Sequence, residues 1–518
     1  MYCFCLEAYG LKTSQKNPNT SRIAAIVFLF LGYLLLFLTL WLCDCYDDVS
    51  LENMLFQLKT SSEGVHAVLT SSWILRVGLL SVLFTGLTVF VYRLLFGKYS
   101  YLLKNAAWHL SFSKTAAYRF FRDRILLPAL CVFFAVLIIF IGQFKVIARV
   151  SASATESSFI EAHYVDPAKT AITFPETKRN LIYIYLESME STFGDAAVSM
   201  DAIPELTALA EENVNFSGTS GLGGAMTYTG STWTAAAMVT HTAGVPVKVS
   251  LTADSYGAEE DEFLPGIVTL GEILEKEGYR QVLLLGSLAE FHGREPYFTG
   301  HGNYEIIDTE TLKETGRLPE DYRVWWGYED EKLFRFAKEE LTRLAASDEP
   351  FNFTMLTADT HFPDGYHCSL CEDVYEEPYA NVLSCSSKQV ASFVSWIQKQ
   401  PFYENTTVII TGDHLTMDPD FVEDLTEDYV RTVYNCFLNV PVQPVQEKNR
   451  QFATVDMFPT TLAALGAKIE GERLGLGVNL FSGEKTLTET YGYDAVETEL
   501  QKHSDFYEKA FLETESDS

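Results

Sequence analysis

Residues 180–188 read NLIYIYLES, a short run of apolar and aromatic residues that ends in a glutamate. Three more runs have this form: YRQVLLLGS at 279–287, FNFTMLTAD at 351–359 and TTVIITGDH at 406–414. Amphipathic stretches lie between them, among them IPELTALAEEN at 203–213 and EKLFRFAKEELTRLAAS at 331–347. Apolar strands that alternate with amphipathic helices predict an α/β domain with a mostly parallel central sheet flanked by helices.

Three long apolar runs precede this domain, at about 23–43, 74–96 and 125–143. Each has about 20 residues, enough for a helix to cross a hydrocarbon core of roughly 30 Å. The first run is too long for a cleaved signal peptide and lacks a small-residue cleavage site. The sequence therefore predicts an N-terminal three-helix transmembrane module.

Charge predicts how these helices are oriented. The first loop is mostly acidic, whereas the second loop carries seven basic residues against one acidic residue: Arg93, Lys98, Lys104, Lys114, Arg119, Arg122 and Arg124 against Asp123. Basic loops stay in the cytoplasm. We therefore expect a multi-pass protein of the cytoplasmic membrane, with everything after Gln143 on the extracytoplasmic side. The aromatic and basic stretch 99–121 fits either an interfacial segment or a plain cytoplasmic loop.

The predicted organisation has four parts. Residues 1–145 form the transmembrane module, and 146–178 form a linker of Ser, Ala, Thr and Pro with little periodicity. Residues 179–485 form the extracytoplasmic catalytic domain. Residues 486–518 form a C-terminal helix followed by a disordered tail, ETESDS.

The part outside the membrane is strongly acidic. Residues 1–150 hold 7 acidic and 14 basic side chains of the 69 and 38 in the chain, so residues 151–518 carry a net charge of −38. Such a field makes nucleic acid a poor partner. An anionic substrate needs a locally positive site, most simply a metal ion.

Three cysteines cluster in the predicted external domain, where a disulfide can persist. We expect Cys371 to pair with Cys385, with Cys368 as the other candidate partner of Cys385. A zinc site is the rival interpretation, although His367, directly beside Cys368, lacks the usual ligand spacing.

Acidic and imidazole side chains follow three of the predicted strands. Glu187 ends the first, Asp359 and His361 follow the third, and Asp413 and His414 follow the fourth. In open α/β sheets, functional sites gather at the carboxyl ends of the strands. Glu, Asp and His suit Mn²⁺, Mg²⁺ or Zn²⁺. The pattern predicts a divalent metal site at this edge.

The stretch YTGSTWTAAAM at 228–238 offers four hydroxyl groups just before a run of alanines. The motifs NLIYIYLES, GSTWTAAAM followed by GVP, TADTHFP and ITGDHLTM occur in this order. Together they resemble the lipoteichoic acid synthase and phosphoglycerol transferase I family of the alkaline phosphatase/sulfatase superfamily. The resemblance covers roughly residues 178–485. The sulfatase motif C-x-P-x-R is absent.

The resemblance implies the site residues. The family nucleophile is a threonine two residues after a glycine, which is Thr232 here. The implied metal ligands are Glu187, Thr232, Asp413 and His414. His361 and Arg294 match substrate-binding positions, while Ser287 replaces an acidic residue of the family. The other hydroxyls, those of Thr229 and Thr234, are expected to serve packing and helix capping.

The resemblance also implies an activity. The expected enzyme is a metal-dependent phosphoglycerol transferase that takes glycerol phosphate from phosphatidylglycerol, holds it on the threonine and releases diacylglycerol. One divalent metal is expected, Mn²⁺ ahead of Mg²⁺ or Zn²⁺. The acceptor is a polyol phosphate, a glycolipid or a glucan. The alternatives are a phosphoethanolamine transferase, another phosphodiester or sulfate ester hydrolase of the superfamily, and an inert metal-binding scaffold ectodomain.

Overall fold

The computed structural model describes residues 18–45, 71–103, 106–195, 200–248, 263–324, 326–418, 421–422, 425–426 and 428–513. Most of the first predicted loop (residues 46–70), the predicted basic residue Lys104 and residues 514–518 of the predicted tail lie outside this part. The chain divides into two compact units, one from 1–44 and 67–146 and one from 45–66 and 147–518.

The first unit is helical. Its helices are α1 (Pro18–Cys45), α2 (Leu80–Phe96, preceded by a π-helical turn at Ile74–Leu79), α3 (Ala107–Phe112), α4 (Ala116–Asp123) and α5 (Leu126–Gln143). Three described segments are long and apolar enough to cross a membrane: Thr20–Cys45, Ser71–Phe96 and Leu126–Gln143. They confirm the three predicted apolar helices and make the chain a membrane protein.

These long helices pack sparsely and expose apolar side chains, as lipid-facing helices do. Ile138 is 69% exposed and Val82 is 58% exposed. The hydroxyl groups of Tyr33 in α1 and Thr88 in α2 lie 2.8 Å apart. Close approach of α1 to α5 occurs at Gly32, where an added Cβ would lie 3.4 Å from the Cα of Phe133.

The second unit is the predicted α/β domain. Its strands are β1 (Ile172–Thr173), β2 (Asn180–Leu186), β3 (Gly224–Ala225), β4 (Arg280–Leu285), β5 (Glu305–Ile307), β6 (Phe351–Leu356), β7 (Thr406–Gly412), β8 (Val433–Leu438), β9 (Lys468–Ile469), β10 (Arg473–Leu474) and β11 (Gly477–Val478). Its helices are α6 (Val146–Ser153), α7 (Phe159–His163), α8 (Pro204–Glu212), α9 (Thr234–Ala243), α10 (Leu270–Lys276), α11 (Arg294–Gly300), α12 (Thr309–Glu314), α13 (Asp330–Leu344), α14 (Pro378–Ile397), α15 (Met457–Ala464), α16 (Leu487–Tyr491), α17 (Tyr493–Leu500) and α18 (Asp505–Tyr507).

A seven-stranded sheet of order β3-β8-β7-β2-β6-β4-β5 forms the centre of this unit. Strands β7, β2, β6, β4 and β5 run parallel, and β8 and β3 complete the sheet with antiparallel pairing. The mostly parallel sheet flanked by helices confirms the predicted fold class. Because β2 pairs with both β6 and β7, their carboxyl ends meet at one edge of the sheet.

Strand β2 is buried on both faces, so its sequence is almost continuously apolar. Leu181, Tyr183 and Tyr185 pack into one apolar cluster, together with residues of α9 and α15. Ile182, Ile184 and Leu186 pack into a second cluster, with residues of α13 and α14. The two-residue period of a strand explains this alternation. The strand is thereby fixed between two helical layers.

The predicted linker 146–178 contains α6, α7 and β1, and β1 pairs with β9 near the other end of the domain. Residues 487–507 contain three short helices, α16, α17 and α18. The four predicted domain boundaries remain predictions.

Candidate active site

Three predicted metal ligands meet at the carboxyl edge of the sheet. Glu187 follows β2, and Asp413 and His414 follow β7. One ligand atom from each lies within 4.8 Å of the other two, and all three side chains are buried. Nε2 of His414 is 3.4 Å from Oε1 of Glu187 and 3.5 Å from Oδ2 of Asp413. The two neighbouring strands therefore deliver these side chains to one point.

Backbone hydrogen bonds hold the carboxylate of Asp413 and the imidazole of His414 in place. Oδ1 of Asp413 accepts hydrogen bonds from the backbone N–H groups of Ser188 and His414, both at 2.8 Å. Nδ1 of His414 lies 2.8 Å from the carbonyl oxygen of Leu415. Because a carbonyl oxygen only accepts, this nitrogen carries the proton and donates. Nε2 of His414 is therefore the nitrogen directed at the carboxylates.

The hydroxyl group that meets these ligands belongs to Thr234. Its Oγ1 lies 3.2 Å from Oε2 of Glu187 and 3.4 Å from Nε2 of His414. Thr232 makes no hydrogen bond to another residue in the described part of the chain. The structure thus brings together Glu187, Asp413 and His414 with Thr234, in the place where the sequence prediction put Thr232.

The helix that begins here explains this geometry. Helix α9 starts at Thr234, and Trp233, in extended conformation, is its N-cap residue. Thr234 is therefore the first helical residue, where backbone N–H groups have no partner within the helix. These groups and the helix dipole favour an anion such as phosphate beside Thr234. The sequence signal that could have located this residue is the helix start, one residue after the tryptophan.

Two of the three threonine and serine hydroxyls before the helix, those of Thr229 and Ser231, have structural partners. Oγ of Ser231 donates to the carbonyl oxygen of Tyr228 at 2.7 Å. The carboxylate of Glu497 accepts hydrogen bonds from both the hydroxyl and the backbone N–H of Thr229. Gly230 has a φ of +85°, and an added Cβ would lie 2.4 Å from the carbonyl oxygen of Val247. This turn therefore needs glycine, and Thr229 serves packing.

Electrostatic interactions within the group are strong. Burial raises the pKa of Asp413, and the charge of Glu187 raises it further, to about 7. Burial alone would raise the pKa of Glu187, but His361 and His414 outweigh it and lower that pKa to about 2. Burial lowers the pKa of His414, whereas Asp413 and Glu187 raise it to about 10. Two buried carboxylates thus compete for positive charge.

Arg294 is buried near this group. Burial lowers its pKa to about 10, although Glu187, Asp308 and Asp413 oppose the shift. The guanidinium therefore stays charged at neutral pH. Its Nη2 donates to Oγ of Ser287 at 3.1 Å and to the carbonyl oxygen of Leu288 at 2.6 Å, and Nε donates to that of Phe291 at 3.1 Å. Nη1 donates to no described residue.

His361 follows β6 and is half-buried. Its ring lies 4.5 Å from the ring of Trp326, centroid to centroid, and Nδ1 is 2.7 Å from the carbonyl oxygen of Phe362. His361 lowers the pKa of Glu187, which shows that the two groups interact electrostatically. His361 and Arg294 thus add positive charge near the carboxylates.

A buried ion pair that the sequence analysis missed supports the loop after β7. Glu190 is fully buried and pairs with Arg431 at 2.5 Å. Its Oε1 also accepts a hydrogen bond of 2.8 Å from the backbone N–H of Thr416. No short motif marks such a pair, because its partners are far apart in the sequence. The pair fixes the segment that carries His414.

The ligand group fits a divalent cation. Oδ2 of Asp413 is buried and accepts no hydrogen bond from any residue that the structure describes. A buried carboxylate oxygen without a donor is costly unless a cation or water satisfies it. Two carboxylates and one imidazole form a donor set suited to Mn²⁺, Mg²⁺ or Zn²⁺.

The three cysteines Cys368, Cys371 and Cys385 also lie together. Sγ of Cys368 is 3.7 Å from that of Cys371 and 3.8 Å from that of Cys385. All three are free thiols at these distances. The expected disulfide of Cys385 with Cys371 remains a prediction. His367, considered as a fourth zinc ligand, instead lies 3.1 Å from the carboxylate of Asp373.

The sequence profile of the family described as Sulfatase matches residues 179–467, more than half of the chain. The chain belongs to the sulfatase family. Phosphoglycerol transferase I of Escherichia coli O6:K15:H31 (strain 536 / UPEC) is 31% identical over 330 residues. That match covers 62% of this chain and 41% of the relative. The chain therefore spans less than half of the relative's length.

Solved structures show further similarity to this sulfatase-family chain. The match to an alkaline phosphatase superfamily protein from Vibrio parahaemolyticus has a TM-score of 0.49 at 21% sequence identity. It covers 66% of this chain and 78% of the Vibrio chain. The match to the lipoteichoic acid synthase LtaP from Listeria monocytogenes has a TM-score of 0.46 at 17% sequence identity. It covers 63% of this chain and 82% of the Listeria chain. The family resemblance inferred from the motifs is confirmed at the level of the alkaline phosphatase/sulfatase superfamily.

Proposed function

We propose that this protein is a membrane-anchored phosphoglycerol transferase. It takes glycerol phosphate from phosphatidylglycerol, passes it to an extracytoplasmic acceptor and releases diacylglycerol. The observation that carries this proposal is the hydroxyl of Thr234, within 3.4 Å of both Glu187 and His414 at the start of α9. The similarity to phosphoglycerol transferase I supports the choice of donor headgroup.

We assign the nucleophile to Thr234 in preference to Thr232. A threonine hydroxyl is a weak nucleophile at neutral pH and needs activation by a neighbouring base or a metal. Oγ1 of Thr234 donates to the carboxylate of Glu187, which His361 and His414 keep ionised against the effect of burial. Thr232, two residues earlier, lies outside the helix and has no such partner among the described residues.

Glu187, Asp413, His414 and Thr234 would hold one divalent metal, Mn²⁺ by expectation, with Mg²⁺ and Zn²⁺ as the other candidates. When bound, such an ion supplies a Lewis acid that lowers the pKa of a coordinated hydroxyl and offsets phosphate charge. The donor-free Oδ2 of Asp413 supports this assignment.

Arg294 and His361 are the proposed substrate-binding residues. Nη1 of Arg294 donates to no described residue, so this N–H group is available to a phosphate oxygen. A buried, charged guanidinium binds a phosphodiester strongly because few waters compete. Together with the N-terminus of α9, these residues attract an anionic headgroup into a domain whose overall charge is strongly negative.

The proposed reaction has two displacements. In the first, Oγ1 of Thr234 forms a bond to phosphorus, and the bond from phosphorus to the diacylglycerol oxygen breaks. In the second, an acceptor hydroxyl forms the new bond to phosphorus and Thr234 leaves with its hydroxyl restored. The helix and Glu187 position Thr234. Its attack on phosphorus is therefore effectively intramolecular within the enzyme–donor complex.

The acceptor is a polyol phosphate, a glycolipid or a glucan. A phosphoethanolamine transferase is the alternative within the superfamily, followed by a hydrolase of phosphodiesters or sulfate esters. Among the residues that the structure describes, one group of candidate metal ligands lies at the sheet edge, which favours a one-metal site over the richer histidine sets expected of phosphoethanolamine transferases. An inert scaffold is disfavoured because such a protein has no need of Thr234 beside the ligands.

The proposed topology places the catalytic domain outside the cytoplasmic membrane, with three spans. A reporter that is active only in the cytoplasm, fused after Ser518, should give no signal. A reporter active only outside, fused at the same point, should give one. The reverse result would contradict the topology.

Donor turnover tests the proposed activity. The full chain in detergent, given Mn²⁺ and phosphatidylglycerol labelled in its acyl chains, should release labelled diacylglycerol. Thr234→Ala should lower the rate by on the order of 10⁴-fold, since removing a covalent nucleophile is among the largest single losses. Thr232→Ala is the matched control and should stay within about threefold. Release from phosphatidylethanolamine but not phosphatidylglycerol would replace the proposed donor.

A further inference from the structure

The three-thiol group, Cys368, Cys371 and Cys385, lies apart from the proposed catalytic ligands. Cys368 and Cys371 sit in the segment between β6 and α14, and Cys385 lies on the first half of α14. The three Sγ atoms lie within 4.8 Å of one another. Cys368 and Cys385 are each 4% exposed, and Cys371 is half-buried. A loop and a helix thus converge on one largely buried point.

The sulfur spacing matches metal coordination. A zinc–sulfur bond of about 2.3 Å in a tetrahedron places two sulfurs about 3.8 Å apart. The separations from Cys368 are 3.7 Å to Cys371 and 3.8 Å to Cys385. A disulfide requires about 2.0 Å. Cys368 and Cys371 also have the two-residue spacing typical of paired thiolate ligands.

The odd number of thiols also favours metal coordination over a disulfide. A disulfide between any two of these cysteines leaves the third thiol packed against it, in position for exchange. A cation uses all three sulfurs at once. The amide Nε2 of Gln389 lies 3.4 Å from Sγ of Cys385 and 3.8 Å from Sγ of Cys368. Such N–H donors stabilise thiolates in metal sites.

We propose that Cys368, Cys371 and Cys385 form a second, separate metal site for a soft cation, with Zn²⁺ as the natural occupant. Soft thiolate ligands select Zn²⁺ or Cu⁺ over the hard cations that suit carboxylates. The fourth coordination position belongs to water or to an external ligand, reached from the side of Cys371. The site fastens the segment that begins with His361 onto α14, since the cysteines join the two.

Cobalt substitution tests this site without an activity assay. The full chain in detergent is freed of metal under reducing conditions and given Co²⁺. Thiolate ligation gives sulfur-to-cobalt charge-transfer absorption in the near ultraviolet, which carboxylate and imidazole ligands do not give. We expect this absorption in the wild type and in Asp413→Asn, and its loss in Cys385→Ser. Cys436→Ser is the matched control, a buried cysteine in β8, and should keep it.

Alkylation of the wild type covers the case in which Cys385→Ser does not fold. With Zn²⁺ bound, Cys368, Cys371 and Cys385 should all resist a thiol-alkylating reagent, and a chelator should make all three react. Absence of the cobalt bands from the wild type would overturn the proposal. So would peptide mapping of untreated protein that finds Cys371 joined to Cys385 with the loss of two hydrogens.

Discussion

Two groups of candidate metal ligands in the α/β domain are built differently from each other. Glu187, Asp413 and His414 follow two neighbouring parallel strands, and two backbone N–H groups hold the carboxylate of Asp413. The three-thiol group comes from one loop and one helix. The first uses oxygen and nitrogen ligands beside a helix N-terminus, and the second uses sulfur alone. Rigid strand ends suit chemistry, whereas the loop-to-helix position suits a structural clamp.

The largest expected effect is on the strand-end group. Asp413→Asn removes the anionic charge of a ligand and weakens metal binding. A loss of about 4 kcal/mol of transition-state stabilisation corresponds to roughly 10³-fold in rate. A chelator should do the same to the wild type, and added Mn²⁺ should restore the wild type only. Headgroup release from phosphatidylglycerol is the measurement.

Asp364→Asn serves as the control for that substitution, because Asp364 is an exposed carboxylate in the segment after β6. It should retain nearly full activity. Equal losses of activity in Asp413→Asn and Asp364→Asn, or full activity of metal-free protein, would contradict the assignment of Asp413 as a metal ligand.

The next effect concerns Arg294. Arg294→Gln keeps a hydrogen-bond donor but loses the charge that faces the phosphodiester, and it should lower kcat/KM by about 10²-fold. Arg280→Gln is the control, since Arg280 makes a partly exposed ion pair with Glu305. Steady-state kinetics with phosphatidylglycerol would measure both. An unchanged kcat/KM in Arg294→Gln would exclude this residue from donor binding.

A smaller effect is expected from the three-thiol group, and on stability rather than on chemistry. Zn²⁺ at 100 times its dissociation constant should stabilise the folded domain by about 2.7 kcal/mol. The unfolding temperature of the wild type should therefore rise by several degrees when Zn²⁺ is added, and the unfolding temperature of Cys385→Ser should not rise. An equal rise in both proteins would place the stabilising ion at the strand ends instead.

The smallest effect is expected at Thr229. Thr229→Val removes the hydroxyl that donates to Glu497 and should cost about 1 kcal/mol of unfolding free energy, with activity within about twofold. Denaturant unfolding and donor turnover together measure this. A large loss of activity at unchanged stability would mean that Thr229, and not only Thr234, takes part in the chemistry.

Much of this architecture is predictable from periodicity. The apolar residues of β2 and the polar residues that follow it place Glu187 at a strand end, and the same holds for Asp413 and His414 after β7. Runs of about 20 apolar residues are similarly informative, because a membrane-spanning helix must have that length.

Which hydroxyl lies beside Glu187 and His414 was not predictable in this way. Thr232 and Thr234 are two residues apart, and the glycine-based spacing of the resembling family favoured Thr232. Only the helix start shows which hydroxyl turns toward Glu187, because one residue of helix rotates a side chain by about 100°. The buried pair Glu190–Arg431 is also invisible in the sequence, since it depends on two distant segments meeting.

The most direct test of the account is the site of the covalent intermediate. The full chain is incubated with phosphatidylglycerol and Mn²⁺ without acceptor, quenched in acid and digested, and the peptide that spans 228–238 is sequenced by mass spectrometry. We expect a phosphoglycerol adduct on Thr234, which is absent from Thr234→Ala and present in Thr232→Ala. An adduct on Thr232, or donor turnover by Thr234→Ala at the wild-type rate, would contradict it.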